Sequence, residues 1–321
     1  MTFSERTLEN APFENFAEAS KGILALLRSR ADMGLWMVTR TSGTYWHVLS
    51  SLSTQYDIED GDTLAWSDSF CNRMVKGEGP RVAPDSDKVQ AYRDAPVGRQ
   101  LPIGSYVGMP ITLTNGELFG TLCAIDPKKK DPSLINLESE FNLAGRLLST
   151  IVSLEIQRDD GRRNIERLIA DIEVDPITNL HNDVAFERWC AFEDHYSRSY
   201  GSPVGVIFLD FSKDVAHMNR QDAGVFAENM RMLGTEISFS LRPSDFACKL
   251  QDHHIALIQP NTHLAYTSWQ AEHVQAVCNK HMPFAEISWC QKQPRATIAE
   301  TITTLREAPS QAMLNPIFPS S

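Results

Sequence analysis

The chain has 321 residues, 42% hydrophobic and 22% charged, with a formal net charge of −11. That length exceeds one ordinary core and predicts two domains; the composition excludes a disordered chain, and the acidic balance excludes nucleic acid as a general partner. Apolar runs such as "GILALL" are too short for membrane insertion, no signal-peptide pattern opens the sequence, and six cysteines without a CxxC pair read as reduced thiols of a cytoplasmic protein.

Residues 13–30 carry apolar side chains at helical spacing: Phe13, Phe16, Ala17, Ile23, Leu24 and Leu27. Two strand-like runs follow, "LWMVTRT" and "TYWHVLSSL". "WSDSFCNRMVKG" predicts a helix capped by Ser67 or Asp68 and closed by Gly77. "YVGMPITLTNGELFGTLCAID" holds two alternating runs around Asn115-Gly116, a pair suited to a type I′ turn. Strands with a few helices around them predict a small α+β domain over residues 1–133.

From Leu134 an alternating three-four rhythm begins: Leu134, Leu137, Phe141, Ala144, Leu148, Ile151, Glu155, Arg158, Arg162, Ile165, Ile169 and Ile172. The seam is apolar at both ends and charged in the middle. Residues 134–174 therefore predict a helical connector. It is either a dimeric coiled coil or a surface helix packed on its own domain. After Asp175-Pro176 a second domain, residues 175–321, alternates helices with strands around the run "VGVIFLDF", which suits a buried central strand.

Four stretches of the second domain are similar to the diguanylate cyclase (GGDEF) family, which condenses two GTP into cyclic di-GMP. "DPITNLHNDVAFERW" resembles that family's opening, and "VGVIFLDF" its strand bearing the first metal-binding aspartate, here Asp210. "LRPSDFACKL" resembles the R-x-x-D segment, and "QDHHIALIQP" falls on the G-G-[DE]-E-F turn and the strand after it. The first domain resembles a GAF domain through "SDSFCNRMVKGEGPRVAPDS" and the run from Tyr106 to Asp126. The fold expected is thus a two-domain α+β / α/β chain. A GAF-like antiparallel sheet with flanking helices leads through the connector to a GGDEF-like sheet with helices on its faces.

The resemblance implies damage to the second domain's chemistry. Gln251 and Asp252 stand at the two glycines, His253 at the next acid, His254 at the catalytic glutamate and Ile255 at the phenylalanine. Imidazole is a poor substitute for the hard oxygen ligands that hold magnesium against phosphates. The family's phosphate-contacting lysine falls on Val215 and its guanine-contacting residues on Met218 and Ala227, although a shifted register would bring in Lys213 or Asn219. "TITTLREAPSQAMLNPIFPSS" lacks the family's last helix and its lysine. Asp210, His253 and His254 are therefore vestigial positions. Arg242 and Asp245 match the inhibitory R-x-x-D site and have donors and acceptors for guanine. They serve equally as a helix end and a turn.

In the first domain the resemblance assigns Phe70, Cys71, Asp85, Tyr106, Met109 and Cys123 to a GAF pocket for an unidentified small molecule. Cysteine in such a core is otherwise ordinary packing. A zinc site among His253, His254, His263, His273, Cys278 and His281 is disfavoured, because adjacent strand residues face opposite ways. No cofactor is required; magnesium at Asp210 and cyclic di-GMP or GTP are the ligands the resemblance allows. The expected protein is a homodimer through connector and GAF domain, paired with an intact cyclase or another signalling partner. Its expected function is regulatory, with a cyclic di-GMP receptor or interaction module in place of a catalyst. The alternatives are a residual diguanylate cyclase and a GAF sensor with an inert dimerisation block.

Overall fold

The computed structural model describes residues 11–42, 45–170, 173–217, 223–251 and 253–307, with the side chains of 166–170 outside the description. Met218, Asn219, Asp252 and Ile172, named above, lie outside the described residues. The chain divides into two compact units, residues 1–160 with 199–201, and residues 161–198 with 202–321.

The first unit opens with helix α1 (Phe16–Arg30), capped by Asn15, whose side chain accepts from the Glu18 amide. Strands β1 (Leu35–Ser42), β2 (Tyr45–Ser53) and β3 (Thr63–Ala65) follow, then helix α2 (Phe70–Val75). The cap of α2 is Ser69, whose hydroxyl accepts from the Asn72 amide; Ser67 and Asp68 stand too early to reach it. Strand β4 (Val82–Ala83), the short helices α3 (Gln90–Arg93) and α4 (Val97–Gln100), and strands β5 (Ser105–Thr112) and β6 (Leu118–Asp126) complete an antiparallel sheet of order β3-β2-β1-β6-β5-β4.

The β5–β6 loop differs from the type I′ expectation. Gly116 (φ 84°) alone takes the left-handed conformation, its amide donating to the Leu113 carbonyl. Asn115 stays right-handed, and its side-chain oxygen accepts from the Glu117 amide. The extra residue makes a bulged loop instead of a two-residue turn.

Helix α5 (Glu138–Ala170) carries the predicted connector. Its first half is not free-standing. Phe141, Ala144, Leu148 and Val152 are buried in the first unit, where the Phe141 ring lies 5.5 Å from that of Trp36. The charged middle of the seam also begins inside: Glu155 is buried and accepts the Phe16 amide at 2.5 Å, at the positive end of α1. A second row on the same helix, Leu143, Leu147 and Leu154, is exposed.

The second unit comprises α6 (Asp183–Tyr200), β7 (Val204–Asp210), α7 (Ser212–Ala216), α8 (Ala223–Ser240), β8 (Phe246–Leu250), β9 (His254–Pro260), α9 (Leu264–His281), β10 (Glu286–Gln291) and α10 (Ile298–Glu307). Its antiparallel sheet has the order β10-β7-β9-β8. This is the split β-α-β-β-α-β arrangement, with the apolar run at its centre. Side chains alternate along β7. Ile207 and Leu209 pack with Met230, Leu233 and Ile237 of α8 and Val274 of α9. Val204, Val206 and Phe208 pack with Trp189 of α6 and Ile298, Ile302 and Leu305 of α10. A last helix, α10, thus covers the start of the stretch read as lacking the family's final helix and its lysine; residues 308–321, which hold the rest of that stretch, lie outside the described residues. The helix's buried residues recur at helical spacing, but the surrounding threonines hide the pattern.

Candidate functional site

The second unit's site is built where the sheet's two central strands meet. Asp210 ends β7 and pairs in register with His254, which begins β9. The chain between β8 and β9 must reverse within a few residues. It closes with the His254 amide donating to the Gln251 carbonyl at 3.3 Å. His253 turns left-handed there (φ 66°), a conformation that glycine adopts freely and a Cβ resists. Its carbonyl accepts from the Phe211 amide at 3.1 Å, which ties the tip to the residue after Asp210. The His253 ring meets Phe226 edge-on.

His254 is buried at 6% exposure, with its ring 4.9 Å from that of Phe208. Its Nε2 lies 3.4 Å from Asp210 Oδ1. The same carboxylate oxygen accepts the Ser212 amide at 2.8 Å. Burial raises the Asp210 carboxyl, but Ser212 and the facing imidazole outweigh it and hold the group below the ordinary aspartate range. Magnesium needs near-octahedral oxygen coordination. One carboxylate already committed to an amide and an imidazole does not fit it. Lys213 is ion-paired with Glu286, and Asp214 is buried, accepting the Phe284 amide at 3.1 Å.

Arg242 and Asp245 are brought together, but to each other. The guanidinium donates to Asp245 Oδ1 at 2.7 Å, and the Arg242 amide donates to Oδ2 at 3.1 Å. Asp245 is sealed at 0% side-chain exposure while Arg242 keeps 35%. The guanidinium also bonds Thr262 and lies 4.4 Å from the Tyr266 ring centre. Thr262 and Tyr266 were missed by sequence reasoning; they lie beyond the hairpin, and no local spacing links them to Arg242. The remaining histidines are dispersed. His263 precedes α9, His273 stacks beside Trp269, and His281 bonds Glu236 at 2.8 Å, while Cys278 is in the core.

In the first unit Phe70, Cys71, Tyr106 and Cys123 share one buried cluster. Tyr92 joins them. Its ring stacks on Phe70 at 4.6 Å and meets Tyr106 at 5.1 Å. Nothing in "VQAYRDA" marked it for that place. The Tyr106 hydroxyl sits where a Cβ on Gly108 would stand, 1.9 Å away, so the tyrosine needs this glycine. Its oxygen donates to Cys71 Sγ at 3.3 Å. Met109 and Asp85 lie elsewhere. Met109 occupies the opposite face of β5, against Gly145 of α5, as strand alternation requires. Asp85 is held at the surface by Lys129 at 3.0 Å and Lys88 at 3.7 Å.

Parts of the chain are similar to known proteins. Residues 15–156 match the GAF domain family model, and that segment is a GAF domain. Diguanylate cyclase DgcP of Escherichia coli (strain K12) is 28% identical over 198 residues, 58% of this chain and 56% of the relative. The chain thus matches little more than half the length of that relative. Among solved structures, diguanylate cyclase SiaD with its activator SiaC from Pseudomonas aeruginosa aligns at 17% identity and a TM-score of 0.39, over 54% of this chain and 71% of that one. The coiled coil and GGDEF domain of DgcB from Caulobacter crescentus, in complex with c-di-GMP, aligns at 15% identity and a TM-score of 0.37, over 50% and 90%. The A. aeolicus nlh2 GAF domain aligns at 20% identity and a TM-score of 0.36, over 47% and 93%.

Proposed function

We propose that this is a signalling protein whose second unit keeps the scaffold of a diguanylate cyclase and no longer turns over GTP. One observation carries this reading: the imidazole of His254, where the resemblance places the catalytic glutamate, faces Asp210 at 3.4 Å. A metal-bridged triphosphate needs two carboxylates there. The unit then acts by binding, either cyclic di-GMP through Arg242 or a protein partner, under the influence of the GAF domain. Half-buried Arg242, backed by Tyr266, supports a guanine contact; Asp245 joins it only if its pair with Arg242 opens. A homodimer through α5 belongs to the same reading, since Leu143, Leu147 and Leu154 recur at coiled-coil spacing on an exposed face.

Incubation of the full chain with GTP and Mg²⁺ or Mn²⁺ tests the first part. The expected product level equals that of His254→Ala, and cyclic di-GMP above that control overturns it. Calorimetry with cyclic di-GMP tests the second. Binding removed by Arg242→Ala supports a receptor, and no binding leaves the protein partner. Sedimentation of Leu147→Glu tests the dimer, which should dissociate.

A further inference from the structure

Glutamine is an uncommon core residue, because its amide carries donors and an acceptor that burial strips of water. The second unit buries two of them. Gln259 on β9 and Gln270 on α9 are both 0% exposed, as is Thr267, one helical turn before Gln270. Gln259 pairs in register with Gly205 of β7. Counting by twos places both on the face of Ile207 and Leu257, which packs against α8 and α9. Gly205 lets α9 approach closely. A Cβ there would stand 2.0 Å from Thr267 Oγ1 and 3.1 Å from Gln259 Oε1, so the two side chains converge on that point.

The hydrogen bonding of this cluster is incomplete. Gln270 Nε2 donates to the Ser240 hydroxyl at 3.0 Å, and that hydroxyl spends its own hydrogen on the Ile237 carbonyl at 2.8 Å. Ser240 can therefore only accept from Gln270, which fixes the orientation of the amide and turns Oε1 away from Ser240. Among the described residues, Gln270 Oε1, Gln259 Oε1, Gln259 Nε2 and Thr267 Oγ1 have no partner. Native cores keep such atoms satisfied, by protein groups or by ordered water.

We infer that an internal water molecule bridges the Gln259 amide and the Thr267 hydroxyl and donates to Gln270 Oε1, on the same face of α9 as Thr267. The donor set selects water. It holds two oxygens that only accept, one amide nitrogen that only donates and a hydroxyl that does both, and water is matched to all three kinds. A cation would suit the oxygens but would face the Gln259 N–H groups, and none of the three side chains is a carboxylate that could offset its charge. An apolar guest would satisfy none of the four atoms. The site lies behind the turn of α9 whose Tyr266 backs Arg242 at 4.4 Å. It stands whether or not Arg242 binds a nucleotide.

A crystal structure of the full chain that resolves ordered solvent tests the site. The expected result is a water peak about 2.7–3.2 Å from Thr267 Oγ1 and from the Gln259 amide. No peak, a cation in its place, or the three side chains bonded directly to one another would overturn the proposal. In solution, oxygen-17 relaxation dispersion counts long-lived internal waters. Thr267→Val should hold one fewer than the wild type, and an equal count would also overturn it. The wild-type crystal decides the matter if the valine variant fails to fold.

Discussion

Asp126 and Asp210 each close the strand that runs through the middle of a sheet, yet their surroundings differ. Asp126 is 1% exposed and fully engaged, accepting the Gly34 amide at 2.9 Å, the Lys128 amide at 2.8 Å and the Lys130 ammonium at 2.7 Å. Asp210 keeps 29% of its side chain exposed and faces an imidazole. The first aspartate holds its own backbone together. The second stands where a ligand would be held and has been given a partner from its own chain. A strand-terminal carboxylate is thus not in itself a functional group; the number of its internal partners decides.

The contrast is broken most directly by removing Asp126. Asp126→Ala strands a buried amide and a lysine together, and should cost about 3 kcal/mol or more in urea denaturation. A loss under about 1 kcal/mol would make the two aspartates equivalent. Glu155→Leu comes next. If Glu155 were a solvent-facing seam position, leucine would be neutral or stabilising. Because it holds the Phe16 amide, the change should cost about 1–3 kcal/mol. His253→Gly works in the other direction. It relieves a left-handed side chain at the tip but loosens the unfolded chain, so a gain of at most about 1 kcal/mol is expected, with no appearance of cyclic di-GMP.

The smallest effect is on pH dependence. Asp210 is depressed in the folded protein, so its stabilising contribution is present above the ordinary aspartate pKa of about 3.9 and is lost as pH falls through the folded value. Asp210→Asn should flatten the acid limb below about pH 4 and leave neutral stability nearly unchanged, as thermal melts across that range would show. An unchanged acid limb would mean that His254 and Ser212 do not perturb Asp210.

Much of the scaffold was legible because it is written in apolar alternation. The run from Val204 to Leu209 announced a central strand, and Met230, Leu233 and Ile237 announced the helix upon it. The seam of α5 was read as a row and left open as to its neighbour, because periodicity gives a face and not what covers it. Phe141 and Leu148 point into the first unit, while Leu143 and Leu147 form a row that the reading passed over. Polar pairings were less accessible. Asp210 and His254 were each singled out by the resemblance, without their pairing, whereas Glu155 with Phe16 spans most of the first unit and leaves no trace in local spacing. Met109 was grouped with Tyr106 from the motif alone, and counting strand positions by twos separates them.

The division of α5 governs how the protein can be taken apart. Cutting the chain near residue 133, where strand patterning ends, would strip Phe141, Leu148 and Val152 from the face behind Trp36 and leave the first turn of α1 without its anion. A GAF fragment meant for ligand screening would therefore have to run past Glu155, carrying two further turns of helix beyond Leu148, or it would be an insoluble reagent.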